Sequence, residues 1–204
     1  MNTKPQRHAI LFLLPWLLAL GILAGCQRQA PIPWQLTSIR GHMPDLAFKL
    51  TDDSGKTVTA ADFRGKVILL YFGYTHCPDI CPLTMAHLHE VMQKLGKQAD
   101  DVRILFVTVD PARDTPQVLR EYVHAFDSHA IGLTGSPGDI EALVKRYRAS
   151  FTRIPDQHDS GYEVSHSAGI YIFDRAGRAR LLATPANTQD QLVHDLHLLI
   201  ASGE

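Results

Sequence analysis

Two stretches of the chain are predominantly apolar: "KVILLYFG" (Lys66 to Gly73) and "RILFVTVD" (Arg103 to Asp110). Runs of that length without polar alternation predict central strands buried on both faces. Around them the spacing changes. Pro82 to Leu95 carries apolar side chains at Leu83, Ala86, Leu88, Val91 and Leu95, the period of a helix with one buried face. Upstream, "LAFKL" and "TVTA" flank the turn-forming Asp52 to Gly55 and predict a short hairpin. Thr115-Pro116 and Ser136-Pro137-Gly138-Asp139 each set a capping hydroxyl before a first-turn proline, so a helix is expected after each. "GIYIFDRAGRARLLA" reads as a strand, a turn around Asp174 to Gly177, and a second strand. An amphipathic helix over about Thr188 to Ala201 closes the chain. Phe151 to Ala168 shows no period and is expected to be one long loop. This order predicts an α/β fold: a central mixed sheet flanked by helices, with an N-terminal β-hairpin and a long loop before the penultimate strands.

The first part of the chain follows a different pattern. Lys4 and Arg7 precede an apolar run from Ala9 to Ala24 that Pro15 interrupts. The run is shorter than a bilayer-spanning helix needs, which predicts the apolar region of a signal peptide. It ends in Leu23-Ala24-Gly25-Cys26, which resembles a bacterial lipobox, with Cys26 as the lipidated residue. We therefore expect residues 1–25 to be a lipoprotein signal peptide, residues 26–40 a lipid-anchored tether and residues 41–204 the folded domain. The expected location is extracytoplasmic, on a bacterial membrane, and periplasmic if the cell is Gram-negative. A formal charge of −1 carries no basic excess for nucleic acid, and 45% hydrophobic residues suit one globular core. A monomer is expected.

With Cys26 lipidated, Cys77 and Cys81 are the remaining thiols, in "YFGYTHCPDICPLTMAHL". A disulfide between them would close too small a loop to staple a domain, so the pair is expected to be functional. Pro82 suits the first position of a helix, which puts Cys81 at the N-cap and both sulfurs near the positive helix end, where thiolates are stabilised. Such a dithiol is a candidate redox-active pair and a candidate soft-metal site for Cu(I) or Zn(II), either of which calls for a third ligand. A cysteine motif between a central strand and a helix is the thioredoxin arrangement. In that arrangement His166, before the strand "GIYIFD", should meet the cysteine turn, and Ala168 stands where thioredoxins carry a cis-proline. His166 is therefore the expected third ligand and His158 its substitute. His76 is expected to point away, His87 and His89 cannot share a helix face, and His194 and His197 are expected at the surface. Asp79 either satisfies turn amides or tunes the site and meets a partner. Asp110-Pro111 and Arg113-Asp114-Thr115-Pro116 are expected to end a strand and start a helix, with a role in docking as the alternative. Tyr71, Phe72 and Tyr74 are expected as core and rim residues, the alternative for Tyr74 being exposure beside the site.

"PDLAFKLTDDSGKTVTAADFRGKVILLYFGYTHCPDICP", "VTVDPARDTP", "LTG" and "YEVSHSAGIYIFDRAG" together resemble the Sco/SenC family of copper-binding proteins. The resemblance covers most of Gly41 to Gly177. It implies a thioredoxin-like fold that binds one copper, as Cu(I) and in some states Cu(II), through Cys77, Cys81 and His166. It also implies assembly of the dinuclear copper centre of cytochrome c oxidase subunit II, or of a related copper enzyme. Three classes fit the dithiol: a copper metallochaperone, a thiol–disulfide oxidoreductase that keeps the target's cysteines reduced, and a redox or copper sensor.

Overall fold

The computed structural model describes residues 33–155 and 162–203. Its centre is the pair of apolar runs. Strand β4 (Val67–Gly73) lies parallel to β5 (Val102–Thr108), and both are buried along nearly their whole length. On one side β5 pairs in parallel with β6 (Ala130–Thr134), and β6 pairs with the hairpin of β2 (Lys49–Asp52) and β3 (Thr57–Thr59). On the other side β4 runs antiparallel to β9 (Ile170–Phe173), then come β10 (Ala179–Ala183) and β1 (Thr37–Ser38). The result is an eight-stranded mixed sheet ordered β1-β10-β9-β4-β5-β6-β2-β3.

Successive residues of β4 serve opposite faces. Tyr71 packs toward Phe106 and helix α1 (Ile80–Leu95), and Phe106 meets Tyr122 of helix α2 (Pro116–Phe126). Phe72, one residue on, packs against Tyr147 and Tyr171 beneath helix α3 (Pro137–Arg146). Helix α4 (Gln189–Ser202) packs against α1. Thr115 and Ser136 cap their helices as expected, and Thr188 does the same for α4, each accepting a backbone N–H of the first turn. Among the described residues, no helix is long and apolar enough to cross a membrane.

Three expectations are corrected. The two successive helices are separated by β6, whose short "AIGLT" has no alternation of its own and is defined by its pairing with β5. The expected long loop contains an antiparallel hairpin, β7 (Phe151–Pro155) with β8 (Tyr162–His166), which pairs Phe151 with His166. The third concerns Trp34 to Arg40, read as tether. Leu36 and Ile39 are core residues, β1 pairs with β10, and the backbone N–H groups of Gln35 and Leu36 donate to the buried Asp195 carboxylate. The folded unit therefore begins at Trp34. Cys26, the signal peptide and His158 lie outside the described residues.

Candidate metal centre

The cysteine turn hangs from the end of β4. Gly73 ends that strand because no side chain fits: a Cβ there would stand 2.7 Å from the Phe106 ring and 3.1 Å from Tyr71. The chain then turns, with the Cys77 N–H donating to the Tyr74 carbonyl, and enters α1 at Ile80. The helix thus starts before Pro82, and Asp79, not Cys81, is the N-cap residue. Proline is tolerated in the first turn because those N–H groups have no helical partner. One of these orphan donors, the Cys81 N–H, is taken by the Cys77 sulfur at 3.4 Å. Both thiols are free.

β8 brings His166 to this turn. Its Nε2 lies 3.1 Å from Cys81 Sγ, and its Nδ1 lies 3.0 Å from the Ser167 carbonyl oxygen. A carbonyl only accepts, so Nδ1 carries the proton and Nε2 presents a lone pair to the Cys81 S–H. Burial holds the imidazole below its ordinary pKa, with the Ser167 bond opposing, so the ring is neutral at pH 7. Tyr71 and Tyr74 stand edge-on to it, with ring centres 5.9 Å away. One donor atom from each of Cys77, Cys81 and His166 falls within 4.8 Å of the others. Among the described residues this is the one such group of three metal-capable side chains.

The thiols differ in environment. Cys77 keeps 9% exposure and Cys81 none, so an incoming ion or thiol meets Cys77 first. Burial, with a smaller contribution from the neighbouring Cys77, pushes the Cys81 thiol up to about 12, against hydrogen bonds from the Tyr74 backbone and the Tyr71 hydroxyl. The expectation of a lowered thiol at the helix end is corrected here: desolvation outweighs the helix terminus. Tyr71 O–H lies 3.6 Å from Cys81 Sγ and, being buried, stays protonated as a donor.

The other candidates stand elsewhere. His76 is exposed and bonds Thr75, away from the sulfurs, as expected. His89 pairs with Asp127, while His194 and His197 are half-buried and bonded to Asp195 and Gln98, not free at the surface. Tyr74 is buried, with its ring edge-on to His166. Asp79 makes no side-chain cap bond and is exposed, so the turn-amide role is set aside. Asp110 and Asp114, read as helix and strand punctuation, are fully buried beside the site. Thr75, Asp114, Arg113 and Tyr162 escaped sequence reasoning as site residues. A buried aspartate and a surface turn aspartate look alike in one sequence, and only the doubled Asp of "VDPARD" was a signal.

Comparison with known proteins extends these observations. The SCO1/SenC family model matches residues 40–201. An SCO2-like protein of Rickettsia felis is 36% identical over 132 residues, 64% of this chain and 64% of that protein, so the chain spans somewhat less than two thirds of its length. A copper-bound structure of Bradyrhizobium japonicum ScoI is 39% identical with a TM-score of 0.70, covering 76% of this chain and 99% of that one. Copper-bound yeast Sco1 is 31% identical with a TM-score of 0.70, over 78% of this chain and 90% of that one. The thioredoxin-like fold expected from the sequence is the one present. With the motif, the fold and a family match running from residue 40 to residue 201 in agreement, the chain belongs to the SCO1/SenC family.

Proposed function

We propose that the protein is a copper metallochaperone. It holds one Cu(I) between Cys77, Cys81 and His166 and assists assembly of the dinuclear copper centre of cytochrome c oxidase subunit II or a related copper enzyme. It works from a lipid anchor at Cys26 on the extracytoplasmic face of a bacterial membrane. The observation that carries this reading is the convergence of two thiols and a neutral imidazole, each donor within 4.8 Å of the others. Two sulfurs and one nitrogen form a soft donor set that suits Cu(I), and two relatives of the same fold hold copper.

The hydrogen bonding suits a site that loads and unloads. The Cys81 S–H caps the His166 lone pair, so departure of that one proton frees a thiolate and an imidazole nitrogen together. Copper supplies the driving force for removing a proton that burial otherwise retains, and binding tightens as pH rises. The Ser167 carbonyl holds the imidazole in the tautomer that ligates through Nε2. Cys77, the more exposed of the two thiols, is the ligand that a recipient's thiol reaches first.

A second reading, thiol–disulfide exchange, is favoured by the same free pair. Cys77 as thiolate attacks a target disulfide and releases one target thiol. Cys81 then displaces the second, and two electrons pass to the target as the Cys77–Cys81 bond forms.

His166→Ala separates the two. It should leave disulfide formation intact while copper retention falls by at least about tenfold, as loss of a ligand implies. Under copper limitation it should fail to restore oxidase activity in a deletion strain. A variant that loses copper yet restores full activity would overturn the chaperone reading and promote the reductase.

A further inference from the structure

The histidine strand is not stitched to the sheet that carries the cysteines. Strands β7 and β8 pair with each other as a separate two-stranded sheet, outside the eight-stranded one. The chain ties His166 to β9 only through residues 167–169, so the rest of β8 is held against the site by side chains. Tyr162, Val164 and His166 alternate along β8, the spacing of one strand face, while Glu163 and Ser165 between them are exposed. Val164 is buried and its N–H donates to the Tyr74 hydroxyl, and His166 meets Cys81. Tyr162 meets the short segment between β5 and α2, Asp110 to Asp114.

That segment grips both halves of the site. The Asp114 carboxylate accepts from the Thr75 N–H at 3.0 Å, the Thr75 hydroxyl at 2.6 Å and the Thr108 hydroxyl at 2.6 Å. Thr75 lies two residues before Cys77, so this is the dithiol side. Asp110 accepts from the Tyr162 hydroxyl at 2.6 Å and pairs with the Arg113 guanidinium. Arg113 in turn donates from Nη1 to the Tyr162 carbonyl and lies 4.0 Å over the Tyr162 ring. This is the histidine side. The N–H groups of Arg113 and Asp114 both donate to the Asp110 carbonyl, at 3.1 and 3.0 Å, which folds the segment into a tight turn and couples the two grips.

We infer that Asp110, Arg113 and Tyr162 are positioning residues for His166, and that the 110–114 turn sets the separation between the dithiol and the imidazole. The inference rests on the reading of His166 as a copper ligand. None of the three touches the donor atoms; they act through the placement of β8. A planar guanidinium that donates Nε to Asp110 and Nη1 to the Tyr162 carbonyl, beside a buried carboxylate, suits the task, because its donors point in fixed directions.

The test is a double-mutant cycle in the full chain carrying Cys26→Ser, so that no third thiol competes. Cu(I) affinity is measured against a chelator for Tyr162→Phe, Arg113→Lys and His166→Ala, and for each of the first two combined with the third. Tyr162→Phe removes one hydroxyl and keeps the stacked ring, and Arg113→Lys keeps the charge and loses the fork, so each leaves Asp110 partnered. Each should weaken Cu(I) about tenfold and add nothing once His166 is alanine. Each should also diminish the imidazole-nitrogen coupling in the electron paramagnetic resonance of the Cu(II)-loaded chain. Unchanged affinity in both variants, with His166→Ala still weak, overturns the inference and leaves the copper reading standing. Equal losses in the presence and absence of His166 show general loosening and also overturn it. Unchanged affinity in His166→Ala overturns both.

Discussion

At Cys81 two opposing effects act on one thiol. The first turn of α1 offers a positive terminus and the Tyr71 hydroxyl a hydrogen bond, both of which favour thiolate. Complete burial removes water, which favours the thiol, and burial is the larger effect. The sign of the pH dependence follows. The folded pKa is raised from an ordinary 9.0 to about 12, so the native state keeps a proton that the unfolded chain has lost above about pH 9. Cys81 therefore contributes stability that is fully present below pH 9 and is lost as pH rises toward 12, at up to about 1.4 kcal/mol per pH unit. Urea midpoints of the reduced, copper-free protein should fall between pH 8.5 and pH 10.5 more steeply than those of Cys81→Ser, which has no thiol to titrate. Parallel slopes would count against a raised Cys81. His166 works in the other direction, since its pKa is lowered and its neutral form is lost only as pH falls.

The strand β4 and the helix α1 form one functional element, because the cysteine turn joins the end of one to the start of the other. Tyr71 lies opposite Phe106 in register and Gly73 opposite Thr108, and the absent Cβ at Gly73 leaves the Phe106 and Tyr71 rings their space. Gly73→Ala forces a Cβ to within 2.8 Å of two Phe106 ring atoms, so the rings must move. The expected cost is about 1–3 kcal/mol of overpacking, read as a lower denaturant midpoint. Because Tyr71 touches Cys81 and His166, copper affinity should fall as well. A Gly73→Ala chain with full stability and full affinity would show that this packing is slack. The same element marks where sequence reasoning was sharp. An eight-residue apolar run followed by a proline-flanked cysteine pair leaves few alternatives, whereas β6 and β8 are five residues each and take their identity from neighbours.

At the scale of the molecule, the boundary of the folded unit matters most. Residues 34–40 have the prolines and irregularity of a linker just before them, yet β1 closes the sheet edge at β10 and two apolar side chains enter the core. Deleting the chain up to Arg40 would expose the β10 edge, remove Leu36 and Ile39 from burial, and strip the buried Asp195 of the Gln35 and Leu36 N–H donors. The two side chains alone account for roughly 3 kcal/mol or more. A chain starting at Gly41 should therefore unfold at distinctly lower urea than one starting at Trp34. Equal midpoints would return these residues to the tether. A unit that starts at Trp34 also leaves a shorter stretch between Cys26 and the fold than the sequence suggested.

What the sequence determined by itself was local and chemical. Periodicity set the central strands and most helices, capping residues set their starts, and "HCPDICP" with "VSHS" pointed to Cys77, Cys81 and His166, whose side chains the fold brings together. Those features are written in neighbouring residues, and the forces behind them act over a turn or two. The rest was decided by residues far apart in the chain. Burial of Cys81, the tautomer of His166, the strand β6, the hairpin that carries the imidazole and the entry of Leu36 into the core all depend on what packs against them. The Asp110 to Asp114 turn is the clearest instance. Its sequence reads as an ordinary strand end and helix start, but the fold places Thr75 against one carboxylate and Tyr162 against the other. Those contacts join positions 39 and 52 residues apart in sequence, and no local pattern can encode such a meeting.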